Sequence, residues 1–269
     1  MSTVFNKRVL MVAALTLITT GAARGDIVGL WRFNADVSPQ PDGSLGNNNH
    51  ATPVGATWVF DATRTSGAVS LNGLDQYLEA ADSPSLSITG DMTIAAWINV
   101  TDYANFRSIV GKTNVNLPAP YDYYLVTGSG IPRFFRGDGL GTHLNIDGVV
   151  APATGQWQHV AVTMSGTNVT HYLNGVPNGG GVLSTVIVDQ NNPFRIGNRN
   201  DLFTDFVGRM DDVAIFDEGL SQAQIGDIMS GNFSAFVIPE PSSIVLAGLG
   251  MLAACGYGWR RRRRMKDEG

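Results

Sequence analysis

From Asp26 to about Phe236 the apolar residues recur with period two, and almost nowhere with the 3.6-residue period of a helix. The cleanest stretch is Met92–Val100, where Met92, Ile94, Ala96, Ile98 and Val100 alternate with Thr93, Ala95, Trp97 and Asn99. Successive side chains of a strand point to opposite faces, so this run predicts a sheet strand with one face in a core. Trp157–Met164 reads the same way. After Ser165-Gly166-Thr167-Asn168 the pattern resumes at Val169–Leu173 and meets Asn174-Gly175, the dipeptide best suited to a two-residue hairpin turn. Asn72-Gly73, following Ala68–Leu71, gives an earlier copy of that signal. Further strands are expected at Tyr123–Thr127, Ile131–Arg136, Phe194–Gly197 and Val213–Phe216. Many short strands separated by Gly-, Pro- and Asn-rich turns point to an all-β antiparallel sandwich of two sheets. One helix interrupts this pattern: Ser221 and Gln224, three apart, form a capping box that starts a helix toward Met229, ended by Gly231 and Asn232.

What holds such a sandwich together is narrowed by the cysteine count. Cys255 is the one cysteine in the chain and lies near its end, so the body has neither a disulfide nor thiol chemistry. The formal net charge of −5 conceals an asymmetry, because Arg260–Arg264 and Lys266 sit at the end and Lys7, Arg8 and Arg24 near the start. The domain between them is acidic, which excludes nucleic acid as an expected partner, since no basic face remains for phosphates. At 269 residues the chain has room for one sandwich plus address segments.

Those segments lie at the two ends. Residues 1–25 read as a secretory signal peptide, with Lys7 and Arg8, an apolar centre from Val9 to Ile18, and small residues at Thr20-Gly21-Ala22-Ala23. Cleavage is compatible with Ala23 or Gly25 at the new C-terminus. At the other end, 237–269 holds Pro239-Glu240-Pro241, an apolar span at 244–259 and the basic run Arg260, Arg261, Arg262, Arg263 and Arg264. A span of about sixteen residues is marginal for a hydrocarbon core that asks for roughly twenty, and the arginines stay cytoplasmic. Motif, span and basic stop, in this order, resemble the PEP-CTERM sorting signal of exported bacterial proteins. That resemblance implies transient membrane insertion, an exosortase as partner after the secretion machinery, and residence at the cell envelope, surface or extracellular matrix. A permanent C-terminal transmembrane anchor is the alternative.

The body, 26–236, carries a second resemblance. Ser66–Gly73, Ser83-Pro84-Ser85-Leu86, Thr93–Ile98, Gln156–Val162, Tyr172-Leu173-Asn174-Gly175, Arg195-Ile196-Gly197-Asn198 and Gly208–Phe216 running into Leu220-Ser221 are similar, in this order, to the laminin-G-like (LamG), concanavalin A-like jelly roll. The resemblance implies two packed antiparallel sheets, frequently a structural calcium ion, and a binding or adhesive role toward glycans or proteins.

Individual residues are then weighed against that frame. Trp31, Trp97 and Trp157 are expected in or beside strands as core area, whereas Trp58, in a less regular stretch, is the candidate sugar platform, core packing being its other reading. His159, alone on a strand, reads as a packing residue. Calcium takes six to eight oxygens, and Asn34-Ala35-Asp36, Asp42-Gly43 and Asn47-Asn48-Asn49 near the start, with Asp211-Asp212 near the end, offer them. The expected set is Asp36, Asp42 and Asp211, clamping neighbouring first and last strands; a set of local turns is the alternative. Glu79 and Glu218 are far apart, and no Glu-x-Asp-x-x-Glu pattern exists, so no catalytic residue is assigned. The leading expectation is an exported, non-catalytic module binding polysaccharide or a surface protein. A ligand-free matrix component and a glycoside hydrolase are the alternatives.

Overall fold

The computed structural model describes residues 26–44, 46–113, 121–138, 142–184, 187–199 and 204–236. The leader, the motif at Pro239, Glu240 and Pro241, the apolar span and Arg260–Arg264 lie outside the described residues. Among the described residues no helix is long and apolar enough to cross a membrane.

In chain order the strands are β1 (Ile27–Trp31), β2 (Thr52–Val54), β3 (Thr57–Asp61), β4 (Ser66–Asn72) and β5 (Tyr77–Ala80). There follow β6 (Met92–Val100), β7 (Arg107–Thr113), β8 (Tyr121–Gly128), β9 (Ile131–Gly137) and β10 (His143–Asp147). The last are β11 (Gln158–Ser165), β12 (Asn168–Leu173), β13 (Val176–Val182), β14 (Phe194–Ile196) and β15 (Val207–Phe216), before helix α1 (Gln222–Met229). They form two antiparallel sheets. One has the order β13-β12-β11-β6-β15-β4-β3, with β1 also paired to β15; the other runs β10-β9-β8-β7-β14-β5-β2. The expected two-sheet sandwich with one short helix is therefore the observed fold.

The core between the sheets is filled by alternate residues of facing strands. Ile94, Ala96 and Ile98 of β6, Val160 and Val162 of β11 and Val213 and Ile215 of β15 meet Leu78, Val110, Leu125, Phe134, Phe194 and Ile196 of the other sheet. Trp31 lies within this core, its ring stacked on Phe194 at 4.9 Å and its Nε1 donating to the Asn49 carbonyl at 2.9 Å. Burying the indole N–H is affordable only with such a partner. On the outer face of the first sheet, Ala161, Ala95 and Ala214 stand opposite one another across β11, β6 and β15. Those three small side chains let α1 lie close, with Ile225 and Ile228 packed on them and Phe236 edge-on to Phe216 at 5.1 Å. Ser221 caps α1, accepting from the Gln224 amide while the Gln224 side chain accepts from the Ser221 amide.

Two expectations need correction. Asn72-Gly73 does not close a two-residue hairpin: β4 and β5 belong to different sheets, and the chain crosses between them. Asn72 instead accepts from the Leu74 amide through Oδ1 and donates its own amide to Gln76, a local turn that redirects the chain without pairing its flanks. Trp58 lies on a strand, β3, and not in irregular chain. The Asn174-Gly175 hairpin is present, joining β12 to β13 with both residues at positive φ, 51° and 75°.

Candidate functional site

Strand pairing lays one row of side chains across the outer face of the second sheet. Asn145 stands opposite Phe135, Phe135 opposite Tyr124, Tyr124 opposite Gly111, Gly111 opposite Arg195 and Arg195 opposite Glu79. Their neighbours along each strand, Phe134, Leu125, Val110, Phe194 and Leu78, lie in the core, so strand alternation turns this row outward. Gly111 is required in it. A Cβ there would come within 2.8 Å of Tyr124 Cδ2, so the missing side chain makes room for the ring.

The aromatic half of the row is a connected cluster. Tyr121 and Tyr124 stack at 5.6 Å with ring planes 7° apart, Phe135 lies 5.2 Å from Tyr121, and His143 meets Tyr121 edge-on at 5.2 Å. The Arg199 guanidinium covers both tyrosines, 5.5 and 5.6 Å from their centroids, and donates to the Tyr121 hydroxyl. Such contacts favour a cation over the electron-rich ring face. Tyr124 is 1% exposed and Phe135 8%, whereas His143 and Asn145 are exposed and Phe106 is 38% exposed.

Guanidinium–carboxylate pairs frame these rings. Arg133 donates to both oxygens of Asp147, at 2.6 and 2.7 Å, and its guanidinium lies between Phe106 and Phe135, 5.7 and 5.9 Å from their centroids. The bidentate bond to Arg133 holds the Asp147 carboxyl below its ordinary pKa, and the same bond raises Arg133. Arg195 bonds Glu79 at 2.8 Å and lies over Tyr77 at 4.1 Å. The exposed part of this face therefore presents rings and planar hydrogen-bonding groups held in fixed orientation, with each of these two arginines matched by a carboxylate.

Two buried ionic clusters stand apart from it. Lys112, fully buried, meets Asp82 at 2.8 Å, Asp122 at 3.2 Å and Asp189. Burial disfavours the Lys112 ammonium, but Asp189 and Asp82 outweigh it and raise its pKa; burial pushes Asp122 up to about 6 against the pull of Lys112. In the other cluster Arg64 bonds Asp211 at 2.9 Å and Asp212 at 2.7 Å, while Arg32 bonds Asp212 at 3.2 Å. A bulge in β15 between Asp211 and Ala214, with Asp212 at φ 46°, presents both consecutive carboxylates to Arg64. Burial, then the Asp212 charge, pushes Asp211 up to about 6 against the pull of Arg64.

The expected calcium ligands are distributed differently. β1 does pair with β15, as expected of first and last strands. Yet Asp211 faces Arg64, and Asp36 is exposed on a loop. Asp42 accepts from the Leu30, Ser44 and Asn49 amides and the Ser44 hydroxyl, so it organises its own loop. Among the described residues no group of three His, Cys, Asp or Glu side chains is placed to hold a metal. A single ion shared by Asp36, Asp42 and Asp211 does not fit this arrangement. Trp58 is half-buried, packs against the core and donates through Nε1 to the Phe33 carbonyl at 2.6 Å. His159 is buried edge-on to Trp97 at 5.4 Å, and burial pushes its pKa down to about 3, which keeps the ring neutral and unsuited to carrying a proton near pH 7. The aromatic face itself escaped sequence reading. Its signal was the alternation of Tyr121, Tyr123 and Leu125 with Asp122, Tyr124 and Val126, in which both faces of β8 carry rings or apolar groups.

Comparison with known proteins agrees with this architecture. The model of the concanavalin A-like lectin/glucanases superfamily matches residues 72–226, and that of the PEP-CTERM protein-sorting motif matches 237–263. No curated protein matches the chain. Similar solved structures include the binding domain of Paraclostridial Mosquitocidal Protein 1, at 19% identity and TM-score 0.59 over 77% of this chain and 52% of that one. Another is domain 4 of AbnA, an extracellular arabinanase from Geobacillus stearothermophilus in complex with arabinotriose, at 21% identity and TM-score 0.57 over 77% of this chain and 99% of that one. The botulinum neurotoxin serotype G binding domain is similar at 14% identity and TM-score 0.60, over 78% of this chain and 52% of that one. The chain thus spans about half the length of the toxin-derived structures and nearly all of the arabinanase domain, and these likenesses are of fold. With a C-terminal PEP-CTERM motif that marks it for export and exosortase sorting to the cell surface, the chain belongs to the concanavalin A-like lectin/glucanase superfamily.

Proposed function

We propose that the mature chain is a non-catalytic binding module for an extracellular polysaccharide or a surface partner, and that it binds on the outer face of the second sheet. The observation that carries this reading is the pair of exposed rings on this face, His143, which meets the buried rings of Tyr121 and Phe135, and Phe106, which lies beside the Arg133–Asp147 pair. Rings stack on the apolar faces of sugars, and fixed guanidinium and carboxylate groups bond hydroxyls in a plane. Trp58, half-buried and bonded to Phe33, is assigned to packing in this account. The acidic clusters are matched by Lys112 and Arg64, an arrangement suited to holding strands and not to glycoside hydrolysis, which needs one free acid and one free carboxylate.

A second reading is favoured by the low exposure of Tyr124 and Phe135: the cluster serves only as a satellite core, and the protein is a structural matrix component. A glycan array probed with the mature exported protein separates the two. Reproducible binding weakened by His143→Ala and Phe106→Ala supports the first; silence across the array and toward the host's own polysaccharide supports the second. Release of reducing sugar would overturn both.

A further inference from the structure

Helix α1 covers one end of the first sheet's outer face, resting on Ala95 of β6 and Ala214 of β15. Farther along the same two strands the outward residues are Asn99 and Arg209, which stand opposite each other, and Arg209 also stands opposite Ser70 of β4. Val69, Leu71, Ile98, Val100 and Met210, their neighbours along each strand, lie in the core, so strand alternation turns Ser70, Arg209 and Asn99 outward. The lining of a groove of about 370 Å³ includes these three together with Thr101 and Gly208. That volume lies near the lower end of the range of about 300–1,000 Å³ for small-molecule sites. β6 and β15 approach so closely here that a Cβ on Gly208, at φ 136°, would lie 2.1 Å from the Asn99 carbonyl oxygen, so this position must stay bare. Arg209 is held in place beside it: Nη1 donates to Asp61 Oδ2 at 2.7 Å, and Asp61, 5% exposed, accepts from the Thr63 amide at 2.9 Å through its other oxygen. The Arg209 side chain is nonetheless 48% exposed, and a guanidinium carries five N–H donors.

We propose that this groove is a second sugar site, taking one neutral hexose unit of a polysaccharide through Arg209, Asn99 and Ser70, with Thr101 at its end. Asp61 offsets the charge of Arg209, so what the groove presents is a fixed set of donors and acceptors: guanidinium N–H groups, the Asn99 side-chain amide and two hydroxyls. A sugar hydroxyl both donates and accepts, so neighbouring hydroxyls on one ring match that set. A carboxylate or sulfate group only accepts, and would leave the Asn99 amide oxygen facing another acceptor. The groove lies on the opposite side of the sandwich from the rings of the second sheet. A chain that binds on both faces joins two polysaccharide strands; this bridging rests on the ring-face reading, whereas binding in the groove does not.

Titrating the mature protein with the methyl glycosides of glucose, galactose and mannose, and with methyl glucuronoside, tests the site through the backbone amide NMR signals of residues 99–101 and 207–209. Saturable shifts there with at least one neutral glycoside are expected. Asn99→Ala should weaken that binding roughly fivefold, the worth of one neutral hydrogen bond. Arg209→Lys, which keeps a cation opposite Asp61 but removes the fork, should weaken it by a similar factor, and Phe106→Ala should leave it unchanged. Silence at these amides with all three neutral glycosides, equal affinity in both groove variants, or tighter binding of the glucuronoside overturns the proposal. If Arg209→Lys does not fold, Ser70→Ala takes its place beside Asn99→Ala. Groove shifts accompanied by silence at the ring face would support this site and count against the ring-face reading, so the two fail separately.

Discussion

Replacing Arg64 by Ala is the most informative single perturbation of the sandwich. The substitution removes the partner of Asp211 and one of the two partners of Asp212, carboxylates whose side chains are 1% and 9% exposed, and the guanidinium stacked over Trp97 at 4.3 Å. At an effective dielectric of about 20, each charge pair near 4 Å is worth about 4 kcal/mol before desolvation. Removing one partner of a buried pair strands the other charge and typically costs about 3–5 kcal/mol. Protonation limits that cost. Asp211 already titrates at about 6 in the intact protein, and without Arg64 its pKa must rise further. For a carboxyl whose folded pKa lies above its unfolded value, the folded state holds the proton more tightly, so stability is lost as pH rises through the folded pKa. At pH 5 Asp211 is protonated in both proteins, and the difference reduces to Asp212 and the lost stacking. Above pH 6 only the variant still prefers the proton, and the difference grows by about 1.4 kcal/mol for each unit separating the two pKa values. Urea unfolding should therefore give a loss of about 3–5 kcal/mol at pH 8 and clearly less at pH 5. A loss under about 1 kcal/mol at pH 8, or one equal at both pH values, would refute the reasoning.

Other substitutions test other parts of the account. Ala95→Leu adds bulk where α1 rests on the sheet and should cost about 1–3 kcal/mol, seen as a lower Tm with loss of protection in α1 by hydrogen exchange. Ser221→Ala removes the cap from the Gln224 amide and should cost about 1 kcal/mol in the same unfolding assay. Gly175→Ala, at φ 75°, places a side chain in left-handed backbone and should destabilise the β12–β13 hairpin by about 1 kcal/mol or more. Calcium titration should leave Tm unchanged, because Asp42 is engaged by its own loop and Asp211 by Arg64; a calcium-dependent rise abolished by Asp42→Ala would contradict the placement of these residues.

What the sequence revealed of this fold followed from how local each signal is. Met92–Val100 alternates without interruption and its strand has those bounds, and the capping box, read from Ser221 and Gln224, started its helix at the next residue. β15 was legible only from Val213 onward because the bulge at Asp211 shifts the alternation, placing two consecutive acids on one side. β7 was missed since Arg107, Lys112 and Thr113 look solvent-facing, yet the whole strand is buried; Lys112 is tolerated there by three carboxylates, Asp122 on the neighbouring β8 and Asp82 and Asp189 from segments farther along the chain. The partnership of Arg64 with Asp211 spans 147 positions, which no spacing rule connects. The candidate face was hidden for a related reason. Tyr121, Phe135, His143 and Phe106 come from three strands and a loop, and only the register of β8, β9 and β10 places them together.

The central claim is that the outer face of the second sheet binds a ligand. Its most direct test is the affinity of the mature protein for extracellular polysaccharide of its own host, measured by calorimetry beside His143→Ala, Phe106→Ala and Trp58→Phe. Each exposed ring on this face should contribute about 1 kcal/mol, so His143→Ala and Phe106→Ala should each weaken binding roughly fivefold at unchanged Tm, while Trp58→Phe leaves affinity intact. Binding that survives both ring removals and is lost with Trp58 would contradict the account.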